Sequence, residues 1–408
     1  MEKKIAIDFG ASRIKSISFT SRNKILDHFE TVGSNYFKNK PINPIFFYKS
    51  FLEHLNYYDK NISFSKIILC SEMHGFSLLN NKNNKLSNYL SWRYQRNTSE
   101  IKNILKKLSE KKFQNLTGLK PRDGLPIINW LSKKNSIKKN FTLCGIGEIL
   151  CVIGGKYSGN LHSTYAQSTG FFKLNNKYFL NKKVFLNNIS SNKKNLIGTV
   201  LFKGKTKYIS GGYGDLQTAL YGSKIKKNEI LINMGTGSQI ILKNSKKVKH
   251  FEKRNYFNEI ISCKTHIPSG RSLNIIAEKI DKLTNKKKSF WKIFNNISLN
   301  ELEECKDLID LDYLKLKKFL NTNKYKKNYK KFITIVLKSY CDQYVNYVNA
   351  LPLKKYKLKN IILLGGIPRQ IPVIKQYFKN KTNLNTIINK SIVDETLIGL
   401  VKLSKYNL

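Results

Sequence analysis

The stretch Ile5-Ala6-Ile7-Asp8-Phe9-Gly10-Ala11-Ser12-Arg13-Ile14-Lys15-Ser16-Ile17 decides how this chain is read. An apolar run ends in an acid, a turn of small residues follows, and a second apolar run begins. Extended outward, Lys4–Asp8, Lys15–Thr20 and Lys24–Glu30 predict three strands joined by tight turns, an antiparallel meander. The same grammar returns in Ile232-Asn233-Met234-Gly235-Thr236-Gly237-Ser238-Gln239-Ile240. Two halves that each open with strand, glycine turn and strand predict a duplicated α/β unit.

The rest of the chain alternates short apolar runs with amphipathic ones, as an α/β protein does. Lys66–Cys70 predicts a buried strand. Ile101–Lys111, Leu125–Lys134 and Gly145–Gly154 predict helices. Glu229–Met234 and Ser238–Lys243 predict strands around the second glycine turn. A long helix is expected over Tyr329–Leu351, a strand over Asn360–Leu364, and helices from near Pro368 and Asp394. No proline- or serine-rich linker occurs. The least regular passage, about Lys203 to Gly214, places the expected boundary between domains 1–207 and 208–408.

The chain has 408 residues, 41% of them hydrophobic, which is enough to bury real cores and excludes wholesale disorder. The formal net charge is +48. Its cations are nearly all lysine, spread along the whole length, with arginine only at positions 13, 22, 93, 96, 122, 254, 271 and 369. Such a charge speaks to solubility and to attraction for anions, so no specific nucleic-acid partner is expected. The dense stretch from Lys315 to Lys331 reads as a solvated helix face. No apolar run approaches the ~20 residues of a membrane span. The start lacks a signal-peptide core, and the six cysteines form no C-x-x-C pair. Cys263 and His266 alone are too little for a zinc site. A cytoplasmic protein with reduced thiols, monomeric or homodimeric, is expected.

Several segments have the makings of a site. Gly10-Ala11-Ser12 and Gly235-Thr236-Gly237-Ser238 offer bare backbone that a phosphate can approach, although each alone is also a plain hairpin turn. Asp8, at the strand end, suits a Mg²⁺ held through water or a turn cap. Asp215, after Gly211-Gly212-Tyr213-Gly214, is either a helix-start acid or a general base. Ser71-Glu72-Met73-His74-Gly75 follows a buried strand, at the end of the strand where ligands bind in α/β sheets. Trp92-Arg93-Tyr94-Gln95-Arg96 mixes a ring face with cations, as sugar sites do. Leu363-Leu364-Gly365-Gly366-Ile367-Pro368-Arg369 reads as strand, glycine turn and helix start, suited to a nucleoside against bare backbone.

In this order the segments resemble the FGGY carbohydrate kinases of the actin-like ATPase superfamily, over nearly the whole chain from Ile5 to about Leu403. The run from Asp8 to Lys15 resembles the family's D-x-G-T-[ST]-x-x-[KR], with Ala11 where Thr is usual. Residues 71–75 resemble its S-G-Q-M-H-G segment, and Trp92 to Arg96 its W-x-D-x-R, with Tyr94 in the place of the acid. Gln167 to Phe172 resembles the segment before the crossover, and Glu395 with Gly399 the closing helix. Gly214 to Gln217 and Pro268 to Leu273 look most like sedoheptulokinase. The chain is shorter than the family's usual length, mainly between Lys282 and Lys331.

The resemblance implies two ribonuclease-H-like (actin-like ATPase) domains with a nucleotide cleft between them and MgATP as phosphoryl donor. It implies that Gly10, Ala11, Ser12, Lys15, Gly235, Thr236, Gly237, Ser238, Gly365, Gly366 and Arg369 bind the nucleotide. Asp8 would orient Mg²⁺, and Met73, His74, Trp92 and Arg96 would hold the sugar. Asp215 would take the proton of the accepting hydroxyl. A sedoheptulose-like ketose is the expected acceptor, with xylulose or another ketose or polyol as the alternative. A catalytically degenerate regulator that keeps the fold is the other alternative.

Overall fold

Strand β1 (Lys3–Phe9) is buried on both faces at all but its first residue, Lys4 and Asp8 included. Such a strand needs neighbours on both edges. It pairs antiparallel with β2 (Arg13–Thr20) and parallel with β4 (Phe64–Ser71), while β3 (Ile25–Val32) pairs antiparallel with β2. The expected meander is present. The computed structural model describes residues 3–37, 39–132, 140–180, 185–235, 237–244, 248–322, 324–389 and 394–407. Thr236, Lys133 and Lys134 lie outside the described residues.

The chain forms two compact units: Met1–Lys224 with Glu252–Ile260 and Ser391–Leu408, and Ile225–Phe251 with Ile261–Lys390. The passage expected to be an irregular boundary is instead strand β7 (Lys205–Gly214), deep in the first unit and parallel to β4. Its glycines mislead because they mimic a loop. Gly211 has φ +100°, and a side chain there would run into the Leu69 backbone of β4. The ladder shifts register between Gly211 and Tyr213, so this is a bulge inside a sheet.

In the first unit β5 (Gly155–Tyr157) and β6 (Leu196–Phe202) complete a sheet of order β3-β2-β1-β4-β7-β6-β5. In the second unit, strands β8 (Glu229–Met234), β9 (Ser238–Leu242), β10 (Glu259–Ile267), β11 (Asn360–Leu364) and β12 (Asn385–Ile388) run in the order β10-β9-β8-β11-β12. The antiparallel and parallel pairings of β8 with β9 and β11 repeat those of β1 with β2 and β4. Each unit therefore carries the ribonuclease-H-like order, and the echo in the sequence is a repeat of topology.

Local signals set the helix boundaries. The single helix expected over Ile101–Lys111 is two, Ser99–Lys107 and Glu110–Thr117, because Leu108 is extended and the Ser109 hydroxyl accepts from the Lys112 N–H to start a new one. The lysine-rich passage is likewise broken. The helix Tyr313–Asn321 ends, and Asn328 caps the long helix Tyr329–Asn349. Among the described residues no helix is long and apolar enough to cross a membrane. All six cysteines are free thiols, and five are buried.

The helices Asp215–Ser223 and Glu395–Asn407 cross at two glycines. A methyl on Gly399 would collide with the Thr218 carbonyl, and one on Gly222 with the Glu395 carbonyl. Gly399→Ala is expected to push the helices apart and cost about 1–3 kcal/mol, read as a lower urea midpoint. An unchanged midpoint would mean that the crossing tolerates side chains.

Candidate active site

Register brings the site of the first unit together. Phe9 pairs with Ser71, and Ser71 with Gly214, so β1, β4 and β7 end level with one another. The residues at or just past those ends are Asp8, Glu72 and Asp215. Sequence put each at the end of an element, and the parallel ladder makes them neighbours.

Asp215 opens its helix, where its Oδ1 accepts from the Leu216 N–H at 2.7 Å. The side chain is half-buried. Burial pushes its pKa up to about 7, helped by the nearby charges of Glu72 and Asp394, against the pull of the Leu216 N–H and Arg254. Asp8 is 6% exposed, faces Lys15 across β2, and accepts from the Cys70 thiol at 3.4 Å. Burial, then the charges of Asp394 and Asp215, hold it well above the ordinary carboxylate range. Lys15 donates to Asp394 at 2.6 Å. Burial alone would raise the Asp394 carboxyl, but Lys15 outweighs it and holds it below its usual value.

Three carboxylates thus repel one another at this end of the sheet, with one ammonium among them. A divalent cation relieves such repulsion, so the donor set fits Mg²⁺ held near Asp8. No group of three His, Cys, Asp or Glu side chains is placed to hold a metal ion directly among the described residues.

His74 has φ +64°, uncommon for a side-chain-bearing residue, and is fixed from every side. Its backbone N–H donates to the Ser168 hydroxyl at 3.3 Å, and its Nδ1 lies 2.5 Å from the Ser168 carbonyl, so Nδ1 carries the proton. Its Nε2 accepts from Arg254 at 3.0 Å and Arg122 at 3.4 Å. Burial and these two guanidinium charges hold the ring neutral, well below its usual pKa. Both arginines converge on Glu252, at 2.5 Å from Arg254 and 3.0 Å from Arg122. Burial would raise the Glu252 carboxyl, but the two guanidiniums hold it well below the ordinary range. Glu72, itself 2% exposed, accepts from Ser34 at 3.0 Å and Arg93 at 3.4 Å.

The other expected site residues fall into place unevenly. Met73 is buried and packs against Gly214, next to Asp215. Trp92 is stacked by Arg93 at 4.9 Å. Arg96 donates to Ser132, and no hydrogen bond among the described residues links it to His74 or Asp215. Gly10, Ala11 and Ser12 form the β1–β2 turn, and the Gly33 N–H donates to the Ser12 carbonyl at 3.1 Å. In the second unit, Gly235 and Gly237 flank the β8–β9 turn, and the Gly235 carbonyl accepts from the Gly270 N–H at 3.1 Å. A methyl on either glycine would meet only ordinary contacts, and one on Gly366 would meet nothing within 4 Å. Packing among the described residues does not demand glycine at these three positions. Gly365 is different: its φ of +100° and its approach to the Met234 carbonyl are structural. Parallel pairing of β8 with β11 sets this turn beside the β8–β9 turn. Ser238 is buried, and Arg369 Nε donates to the Asn389 carbonyl at 3.1 Å.

Sequence reading missed Glu252, Arg254, Arg122 and Asp394. One signal was present. In a chain whose cations default to lysine, the rare arginine marks a place where the planar guanidinium fork is needed.

No known protein-family signature matches the sequence, and no curated protein does. Solved structures do match. The xylulose kinase of Lactobacillus acidophilus aligns over 100% of this chain and 92% of its own, with a TM-score of 0.74 at 14% identity. The glycerol kinase of Plasmodium falciparum, solved with ADP, aligns over 99% and 89%, with a TM-score of 0.75 at 13% identity. The gluconate kinase of Lactobacillus acidophilus aligns over 99% and 89%, with a TM-score of 0.72 at 14% identity. The chain has the sugar-kinase fold. In each unit a glycine-containing turn joins the antiparallel pair, β1 with β2 and β8 with β9.

A buried carboxyl lies beside the bulge that precedes Asp215. Glu148 is 2% exposed, its Oε2 accepts from the Gly145 N–H at 2.9 Å, and its Oε1 has no partner among the described residues. A methyl on Gly212 would lie 3.2 Å from that oxygen. Burial pushes the Glu148 pKa from 4.5 up to about 7. The folded state therefore holds this proton more tightly than the unfolded state. The stabilisation is complete below pH 4.5 and is lost as pH rises to about 7. The loss is about 3 kcal/mol. Glu148→Gln is expected to flatten stability over that window and to exceed wild type at pH 8. Equal pH slopes in urea titrations of the two proteins would refute it.

Proposed function

We propose that this chain is an ATP-dependent kinase that phosphorylates a hydroxyl of a small sugar or polyol. One observation carries the reading: a half-buried carboxylate, Asp215, has its pKa raised to about 7 where the three mutually parallel strands β1, β4 and β7 end level with one another. A base with its pKa near the working pH can accept a hydroxyl proton as attack on phosphorus proceeds. The sugar-kinase fold supports the same reading, as do the glycines in the second unit that leave room for a nucleotide.

In this reading the turn at Gly10, Ala11 and Ser12 and the turn at Gly235, Thr236 and Gly237 donate backbone hydrogen bonds to phosphate, and Gly366 leaves room for the nucleoside. Lys15, held by Asp394, adds positive charge close to the first turn. Asp8 holds Mg²⁺ through water; when bound, the ion neutralises phosphate charge. His74 is neutral and has both ring nitrogens engaged, so it orients Arg254 and Arg122 and does not move a proton. Met73 and Trp92 shape the acceptor side. A sedoheptulose-like ketose is the first acceptor to try, on the resemblance of Gly214 to Gln217, with xylulose next.

The test is to incubate the protein with MgATP and a panel of ketoses, polyols and aldonic acids, and to look for the phosphate ester by mass spectrometry. One ester formed well above the rest establishes the reading and names the acceptor. ATP binding with no ester from any member would instead favour the regulator that keeps the fold, for which Ala11 and Tyr94 would then be the first residues to examine.

A further inference from the structure

The crossed helices Asp215–Ser223 and Glu395–Asn407 carry Tyr221 and Tyr406, and the Tyr221 hydroxyl donates to that of Tyr406 at 3.4 Å. The ammonium of Lys193 lies over both rings, 5.2 Å from the centroid of Tyr221 and 5.0 Å from that of Tyr406. The ammonium of Lys405 lies 4.8 Å from the Tyr406 centroid. Neighbouring bonds hold this surface group together. Asn407 Nδ2 donates to the Lys193 carbonyl at 2.6 Å, and the Asn195 N–H donates to Asn407 Oδ1 at 2.7 Å. Phe257 meets the Tyr221 ring edge-on, with centroids 5.6 Å apart.

Two phenols in contact do not ionise together, because the first charge opposes the second. Tyr406 is 37% exposed and Tyr221 is half-buried, so the charge falls on Tyr406, where water and two ammoniums receive it. Burial, then the contact with Tyr406, pushes the Tyr221 phenol up. Hydrogen bonds from Tyr221 and Lys405, with the charges of Lys193 and Lys405, outweigh burial and bring the Tyr406 phenol down to about 8. We propose that Tyr406 is a nucleophilic tyrosine, a site of covalent modification by activated acyl groups. The phenolate oxygen attacks the acyl carbon and forms an ester bond. The bond from that carbon to its leaving group breaks, and the leaving group departs with the electron pair and takes up the proton that the phenol gave up. Near pH 7.5 about a quarter of a phenol that titrates at about 8 is ionised, against about 0.3% of an ordinary tyrosine at about 10. A more acidic nucleophile is intrinsically weaker, as among thiols, which takes back part of that advantage and leaves about tenfold. The inference does not depend on the kinase reading.

The probe is N-acetylimidazole at low stoichiometry on the full chain, with the acetylated residues and their initial rates read by peptide mass spectrometry. Tyr208 is the internal control: it is 50% exposed, so access alone makes it react faster than Tyr406. Both rates come from one tube, so hydrolysis of the reagent cancels. The ratio of Tyr406 to Tyr208 is expected to be about ten near pH 7.5 and to fall as pH rises toward about 10, where ordinary phenols ionise as well. Hydroxylamine is expected to remove the acetyl group, as it does from a phenyl ester and not from a lysine amide. Lys193→Met and Tyr221→Phe are each expected to lower the ratio about threefold or more. Should either variant fail to fold, the pH dependence in the unmodified protein decides. The proposal fails if the ratio near pH 7.5 is below about three or does not fall with rising pH. It fails equally if the label resists hydroxylamine, or if a folded Lys193→Met keeps the full ratio.

Discussion

Asp215→Asn is expected to leave ATP binding near normal and to cut turnover by about 10²–10⁴, the range for a lost general base. The amide keeps the shape and can still accept from the Leu216 N–H that positions the carboxylate. What disappears is the ability to take a proton. Wild-type kcat/KM should rise with pH through about 7, because Asp215 works only when ionised and its pKa is raised to about 7. The variant should lose that limb. Turnover within a factor of two of wild type would remove Asp215 from the mechanism. Loss of ATP binding alongside activity would point to a structural role.

Glu252→Gln is expected to be the most destabilising isosteric change in the first unit, by about 3–5 kcal/mol. Arg254 is fully buried, Arg122 is mostly so, and Glu252 accepts from both. It also accepts from the Lys120 N–H at 2.9 Å. Glutamine fills the same volume but leaves two guanidiniums without their counter-charge. Because the Glu252 carboxyl is held well below 4.5, its stabilisation is present above pH 4.5 and is lost only in stronger acid. The wild-type protein should therefore lose stability steeply on acidification while the variant, already weakened, changes less. A urea midpoint unchanged at neutral pH would show that the pair contributes nothing net.

What was legible in the sequence was legible for local reasons. The β1–β2 hairpin could be read because an apolar run, a glycine turn and a second apolar run specify one another within a few residues. The same holds for β8 and β9, and for the turn at Gly365 and Gly366. Asp215 stood out because three glycines precede it. Those glycines also caused the largest misreading, because a bulge inside a sheet and a loop between domains look alike until the neighbouring strand is known. Gly211 is glycine because the Leu69 backbone passes close beside it, and nothing within the segment reports that contact. Arg96 was read from its motif as a sugar contact, and its bond to Ser132 was not legible from that motif, because the two residues meet only when their segments fold together.

The sequence by itself determined the duplicated strand–turn–strand units, the α/β class and the residues worth watching, since hydrophobic period and turn chemistry act over a few neighbours. Only the tertiary structure decided how those residues behave. The neutral ring of His74, the raised pKa of Asp215, the lowered one of Asp394 and the shared carboxylate of Glu252 arise where segments distant in the chain are buried together. Burial and Coulomb interactions depend on distance in space, and that distance is set by strand register and packing.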